Sequence, residues 1–357
     1  VQKEGCHFLQ NMTTNYSIHV AIEISKSHVV PLILKAMKLS HKMKNKNNKS
    51  NNKKKKKYDI EFQLTVCGLI ANLASFQDMT VAAVVSKPNV IAIVFETLNT
   101  TNTTKDFFVE QEAILALEFL ATCSVENQAV IWRKGGLQAA FDAIKSWPNS
   151  KTLLLSSLNL IEELCQNDTD GKVVGDIARL NGIQLLLTTM EDNPDIVKLQ
   201  VTAFVIVGFL ILVKDDDKIY APKLARAIIL AMQIHDDNDT IQMQGCDALF
   251  ELSQVSSSHE VLMENETQQM LLHIKNHYED SVSDVNDIFA SCKGTYTPNN
   301  SKGKKTKSNG KRKKSRKRKN VQNANITATA TNDSSNKKQK VMSTSAATAT
   351  ATATATA

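Results

Sequence analysis

Ile241-Gln-Met-Gln-Gly-Cys-Asp-Ala-Leu-Phe-Glu-Leu252 is the stretch that decides the fold, because the chain repeats it. Cys246, Leu249 and Leu252 stand three apart, which puts them on one face of an α-helix. The phrase opens the chain as Val1 to Met12 and returns at Glu61 to Ala74, with weaker copies at Val109 to Leu120, Leu153 to Leu164 and Leu199 to Leu210. Its small-residue position falls at Gly5, Val66, Ala113, Ser157, Ala203 and Gly245, so successive copies lie 61, 47, 44, 46 and 42 residues apart. The long first interval contains a Lys/Asn run at residues 42–57, and without those 16 residues it returns to the common period. A period of this size marks a solenoid, whose units cannot bury their apolar faces alone and depend on their neighbours.

Between copies a second pattern recurs: a turn with Gly, Asn or Pro, then a short apolar helix. It runs from Gly135-Gly136-Leu137 to Ile144, from Asn181-Gly182-Ile183 to Met190, and over Pro31 to Met37, Pro88 to Leu98 and Pro222 to Met232. Gly and Pro stand at helix boundaries, where a left-handed residue or a fixed φ is useful. Strand-like alternation is not sustained anywhere, so the expected class is all-α. The longest apolar stretch, Leu199 to Val213, is shorter than the roughly 20 residues a bilayer requires and reads as a buried helix.

These residues resemble the armadillo repeat, a unit of three helices whose last carries a "V-Q-x-x-A/G-x-x-x-L-x-N-L" phrase. Gln2, Gly5, Leu9, Asn11 and Met12 match it in the first copy, Gln63, Ile70, Asn72 and Leu73 in the second, and Gln242, Gly245, Leu249 and Leu252 in the sixth. Gly135-Gly136-Leu137 and Asn181-Gly182-Ile183 resemble the start of the family's second helix. HEAT-type repeats share the length and the helical pattern. The resemblance covers residues 1–292 and implies a right-handed superhelical α-solenoid of armadillo-like repeats. The chain enters it in the last helix of a repeat, so further repeats are expected upstream. At the other end Val282, Val285, Ile288, Phe289 and Cys292 form an apolar stripe, with Asp280, Asp284 and Asp287 expected opposite it on the polar side of a terminal cap.

Charge divides the chain differently. Residues 42–57 hold nine Lys, 302–319 hold twelve Lys or Arg and 337–340 hold three Lys, leaving 19 basic residues against 36 acids elsewhere. The body is acidic and the appendages are basic. Residues 42–57 read as a flexible loop, and residues 293–357 as a disordered, basic, Thr/Ala-rich tail of low complexity, too poor in apolar residues for a core. Within the tail Lys311, Arg312, Lys313, Lys314, Arg316, Lys317, Arg318 and Lys319 are dense enough for a nuclear localisation signal. The same run can bind nucleic acid non-specifically through phosphates, without base stacking, since no aromatic residue lies beyond 297.

No phosphate-binding glycine loop, zinc-protease helix or calcium loop occurs. The six Cys include no C-x-x-C pair, and Cys6, Cys67 and Cys246 share one repeat position, where a small apolar side chain lets helices approach. His273 and His277 share a helix face but read as a surface pair. Paired acids such as Glu162-Glu163 and Asp215-Asp216-Asp217, mostly in expected turns, read as solvated charge. No catalytic residue, metal or cofactor is expected, nor any small-molecule substrate.

What the resemblance implies instead is a concave row of third helices that binds an extended partner. The positions facing such a groove pair as His7/Asn11, Gly68/Asn72, Leu115/Phe119, Asn159/Glu163, Val205/Phe209 and Asp247/Glu251, with no Trp among them. The family's import adaptors use Trp there, which counts against that role. Carboxylates at Glu118, Glu162, Glu163, Asp247 and Glu251, with apolar Phe119 and Phe209 between, suit a basic extended segment or an amphipathic helix. The expectation is a non-catalytic protein-interaction scaffold, nuclear or nucleo-cytoplasmic. The alternative is a chromatin- or RNA-associated protein acting chiefly through its tail.

Overall fold

Helix starts are set by single side chains. Asp106, Ser124, Ser150 and Asn238 each accept a hydrogen bond from the backbone N–H three residues on, at Val109, Asn127, Leu153 and Ile241, satisfying a donor that the first turn leaves without a carbonyl. The computed structural model describes residues 2–15, 18–27, 30–37, 53–76, 78–104, 106–211, 220–278 and 281–294. These belong to one packed unit, Val1–Tyr296, and Thr297–Ala357 lie outside the described residues. No strand occurs among the described residues.

The helices are α1 (Gln2–Asn15), α2 (Ile18–Lys26), α3 (residues 30–37), α4 (Lys53–Ser75), α5 (Met79–Val85), α6 (Pro88–Thr104), α7 (Phe107–Cys123), α8 (Val125–Arg133) and α9 (Gly136–Ser146). They continue as α10 (Lys151–Cys165), α11 (Lys172–Arg179), α12 (Gly182–Asp192), α13 (Val197–Leu210), α14 (Ala221–Ile234), α15 (Asp239–Leu252), α16 (His259–Leu262), α17 (Asn265–His277) and α18 (Val282–Cys292). Three of them make a unit: a short first helix, a second helix, and a third helix that carries the repeated phrase in all but the last unit. The units are α2–α4, α5–α7, α8–α10, α11–α13 and α16–α18, with α14–α15 as the second and third helices of another. The third helices pack in chain order, α1 on α4, α4 on α7, α7 on α10, α10 on α13, α13 on α15 and α15 on α18, forming one row. The molecule is an all-helical stack of repeated units, α-solenoid-like in construction.

Two devices recur, each in two of the units. The turn between first and second helices uses a left-handed residue, Gly135 at φ 92° or Asn181 at φ 58°, followed by a glycine under close approach. A Cβ on Gly136 would lie 3.0 Å from the Ile131 carbonyl oxygen, and one on Gly182 would lie 2.9 Å from that of Ile177 and against the Phe141 ring. At the other end of the second helix, the repeated Gln closes the last turn. Gln200 Nε2 donates to the Met190 and Asn193 carbonyls at 2.9 Å each, and Gln242 Nε2 donates to those of Met232 at 2.7 Å and His235 at 2.8 Å. A buried amide thereby supplies donors to carbonyls that the helix end leaves open.

The core runs along the row. Cys6, Cys67 and Cys246 are all buried, as are Leu117, Leu120, Leu153, Leu158, Phe204, Ile206 and Leu249. Three expectations are corrected. Lys53–Lys57, read as part of a loop, form the first turns of α4; residues 42–52 lie outside the described residues. Glu162 and Glu163, read as solvated charge, are buried near the end of α10, because α7 and α8 close over them. Asp284, expected on the outer side of the terminal helix, is also buried, and its charge adds to burial, the larger cause, in raising the Cys246 thiol to about 12. Asp215-Asp216-Asp217 and Asp280 lie outside the described residues.

Candidate partner-binding face

The face under consideration is that of the third-helix row, and hydrogen bonds between neighbouring helices set its register. Asn72 on α4 donates to Thr14 Oγ1 at 2.7 Å and Thr13 Oγ1 at 3.2 Å on α1. Asn159 on α10 donates to Glu118 Oε1 on α7 at 2.9 Å and accepts from Thr202 Oγ1 on α13 at 3.3 Å. Gln254, just beyond α15, donates to Ser291 Oγ on α18 at 3.0 Å. Asn72 and Asn159 are therefore half-buried side chains that tie helix to helix.

His7 and Asn11 are exposed on α1, with His7 Nδ1 and Asn11 Nδ2 3.2 Å apart. Glu118, Glu162 and Glu163 are buried where α7 meets α10, and Glu163 accepts from Gln166 at 3.1 Å and Gln128 at 3.4 Å. Phe119, expected to face a groove, is buried in the core, since α7 is packed by α4, α6, α8, α9 and α10. Phe209, Asp247 and Glu251 are half-buried at the α13–α15 end of the row. The structure thus gathers Glu118, Asn159, Glu162 and Glu163 into one joint and distributes the other candidates along the row. Lys311, Arg312, Lys313, Lys314, Arg316, Lys317, Arg318 and Lys319 lie outside the described residues.

Burial changes what the carboxyls can do. Desolvation is the largest influence on Glu118; the Asn159 amide and the nearby Ser156 hydroxyl oppose it, the neighbouring Glu163 and Glu162 charges reinforce it, and the carboxyl is raised to about 8. A carboxyl so placed keeps its proton to higher pH than an ordinary glutamate does. Glu112, one turn and a half earlier on α7, is raised to about 7 by burial, and with Gln10 of α1 it reaches over Gly68 on α4. Of the acidic groove expected from the sequence, the carboxyls that stay partly exposed are Asp247 and Glu251. Both tryptophans serve elsewhere as donors, Trp132 Nε1 to Asp176 and Trp147 Nε1 to Glu110, each at 2.9 Å.

Sequence reasoning passed over Leu155, Val201 and Met243. They occupy one repeat position on α10, α13 and α15, two residues before the small-residue position, and all three are half-buried. The signal was their common register. It was hidden because an apolar residue in a helical phrase reads as core. Among the described residues no cluster of His, Cys, Asp or Glu is arranged to hold a metal ion, and no helix is long and apolar enough to cross a membrane.

Two solved structures share the fold, both crystal structures of engineered proteins. One is 14% identical with a TM-score of 0.55, covering 81% of this chain and 68% of that one. The other is 13% identical with a TM-score of 0.50, covering 73% of this chain and 97% of that one. At such identities the similarity concerns fold alone, and it agrees with an all-α stack of helical repeats. No protein-family model and no curated protein matches the sequence.

Proposed function

We propose that the chain is an armadillo-like interaction scaffold, non-catalytic, whose third-helix row is the concave face of a right-handed superhelix and receives an extended or amphipathic segment of another protein. The three-helix unit, the Gln-containing third helix and the Gly turn before the second helix support the armadillo subtype. The observation that carries the function is the stripe of Leu155, Val201 and Met243, half-buried at one repeat position on consecutive third helices, with Asp247 and Glu251 beside its end. Such a surface suits a partner with apolar side chains at regular spacing and a basic residue at one end. The basic segment 311–319 serves as a nuclear address or polyanion contact, a role that rests on sequence alone.

The test is selection of peptides on the full chain from a displayed random library, followed by affinity measurements on variants. Val201→Lys, Met243→Lys and Asp247→Lys should each weaken the selected peptides at least about tenfold, on the order of 1.4 kcal/mol. Thr188→Lys, exposed on α12, should leave them unchanged. Peptides that ignore all three row substitutions would remove the third-helix face from consideration. Retention on nucleic acid that falls steeply with salt and vanishes on deleting residues 300–340 would instead assign the tail a binding role of its own.

A further inference from the structure

The α7–α10 joint contains a carboxyl that cannot ionise comfortably where it is. Glu118 is 5% exposed; Oε1 accepts the Asn159 hydrogen bond, and Oε2 is buried with no hydrogen-bond partner. Glu162 and Glu163 of the facing helix are the carboxylates acting on it. Through Asn159, Glu118 is also linked to Thr202, so one acidic side chain bears on three successive third helices. An ionised Glu118 would be buried beside two like charges with only the Asn159 amide bonded to it and the Ser156 hydroxyl nearby, a costly arrangement. A neutral carboxyl removes the charge repulsion and keeps the Asn159 bond.

We infer that Glu118 is a proton-controlled joint of the solenoid: with its proton bound, α7 and α10 close on one another, and loss of the proton loosens this joint ahead of the rest of the row. Release falls in the neutral-to-alkaline range, since the carboxyl is held at about 8. The facing charges on α10 are Glu162 and Glu163. Among described side chains, the other helices packed on α7 carry Glu61 and Cys67 on α4, Glu96 on α6, Glu126 and Arg133 on α8, and Asp142 and Lys145 on α9. Of these, Cys67 is influenced by Glu112. On α13, at the repeat position of Glu118 and Glu162, stands Gly208, so the device is confined to the middle of the row. The inference holds whether or not the face binds a peptide.

Hydrogen–deuterium exchange on the full chain at pH 6.5 and 8.5, corrected for intrinsic exchange, tests it. Opening of α7 and α10 should increase roughly tenfold or more across that interval, while α13 and α15 change little, and Glu118→Gln should abolish the difference. Equal pH trends in all four helices, or a Glu118→Gln chain that keeps the trend, would overturn the inference. Should Glu118→Gln fail to fold, infrared spectra of the Glu112→Gln chain decide: a protonated-carboxyl carbonyl band must persist at pH 7 and disappear as pH passes 8. Its absence at pH 7 sinks the proposal.

Discussion

The α7–α10 and α13–α15 joints use the same helical frame and fill it with different chemistry. In the first, carboxyls occupy the repeat position as Glu118 and Glu162; in the second, that position holds Gly208 and Phe250. The locks differ in step. Gln200 and Gln242 close the helices before α13 and α15, whereas the matching residue of α7 is Glu110, which accepts from Trp147, and that of α10 is Leu154. A repeat frame set by caps, turns and packed apolar faces tolerates this substitution because each unit meets only its neighbours. Polar content can therefore be concentrated at one joint without spreading through the stack.

The comparison can be attacked from the largest effect downward. Gly182→Val drives a branched side chain against Phe141 and the Ile177 carbonyl, and urea unfolding should show a loss of about 2–3 kcal/mol. A smaller loss would mean that the shared turn is not what holds the frame. Next comes pH. Glu118 is raised from 4.5 to about 8, so the folded chain binds more protons than the unfolded one between those values. Stability contributed by this group is complete below pH 4.5 and is lost as pH rises through 8. Between pH 6 and 8.5 the native chain should lose on the order of 2–3 kcal/mol that the Glu118→Gln chain keeps. Denaturant midpoints at both pH values measure this, and parallel shifts in the two chains would assign the effect elsewhere.

Gln242→Ala strips two donors from the end of α14 and should cost about 1–2 kcal/mol, read by the same unfolding curves. A neutral result would show the Gln lock to be incidental. The smallest effect is a gain. A Cβ at Gly208 meets nothing within 4 Å, and Gly208→Ala should raise stability by about 0.5–1 kcal/mol through the lower entropy of the unfolded chain. Destabilisation would reveal a close approach at the α13 joint.

Much of the frame was legible before any coordinates. The spacing of Gly5, Val66, Ala113, Ser157, Ala203 and Gly245 located the third helices, and the Gly-Gly-Leu and Asn-Gly-Ile phrases located turns that prove to contain left-handed residues. Periodicity is a local property, written into the order of apolar residues, and so it survives in the sequence alone. Which polar residues face solvent is a different matter. Glu162 and Glu163 resemble any adjacent acids until α7 and α8 close over them; Asp284, on α18, does the same until α15 packs against it. Sequence by itself determined that this chain is a stack of helical repeats with basic appendages. Only tertiary structure decided that Glu118 is buried beside two other carboxyls and that Leu155, Val201 and Met243, already in one register, are left half-covered. Burial and neighbouring charge are set by segments some 40 residues away, and a carboxyl's proton depends on them more than on its own place in the chain.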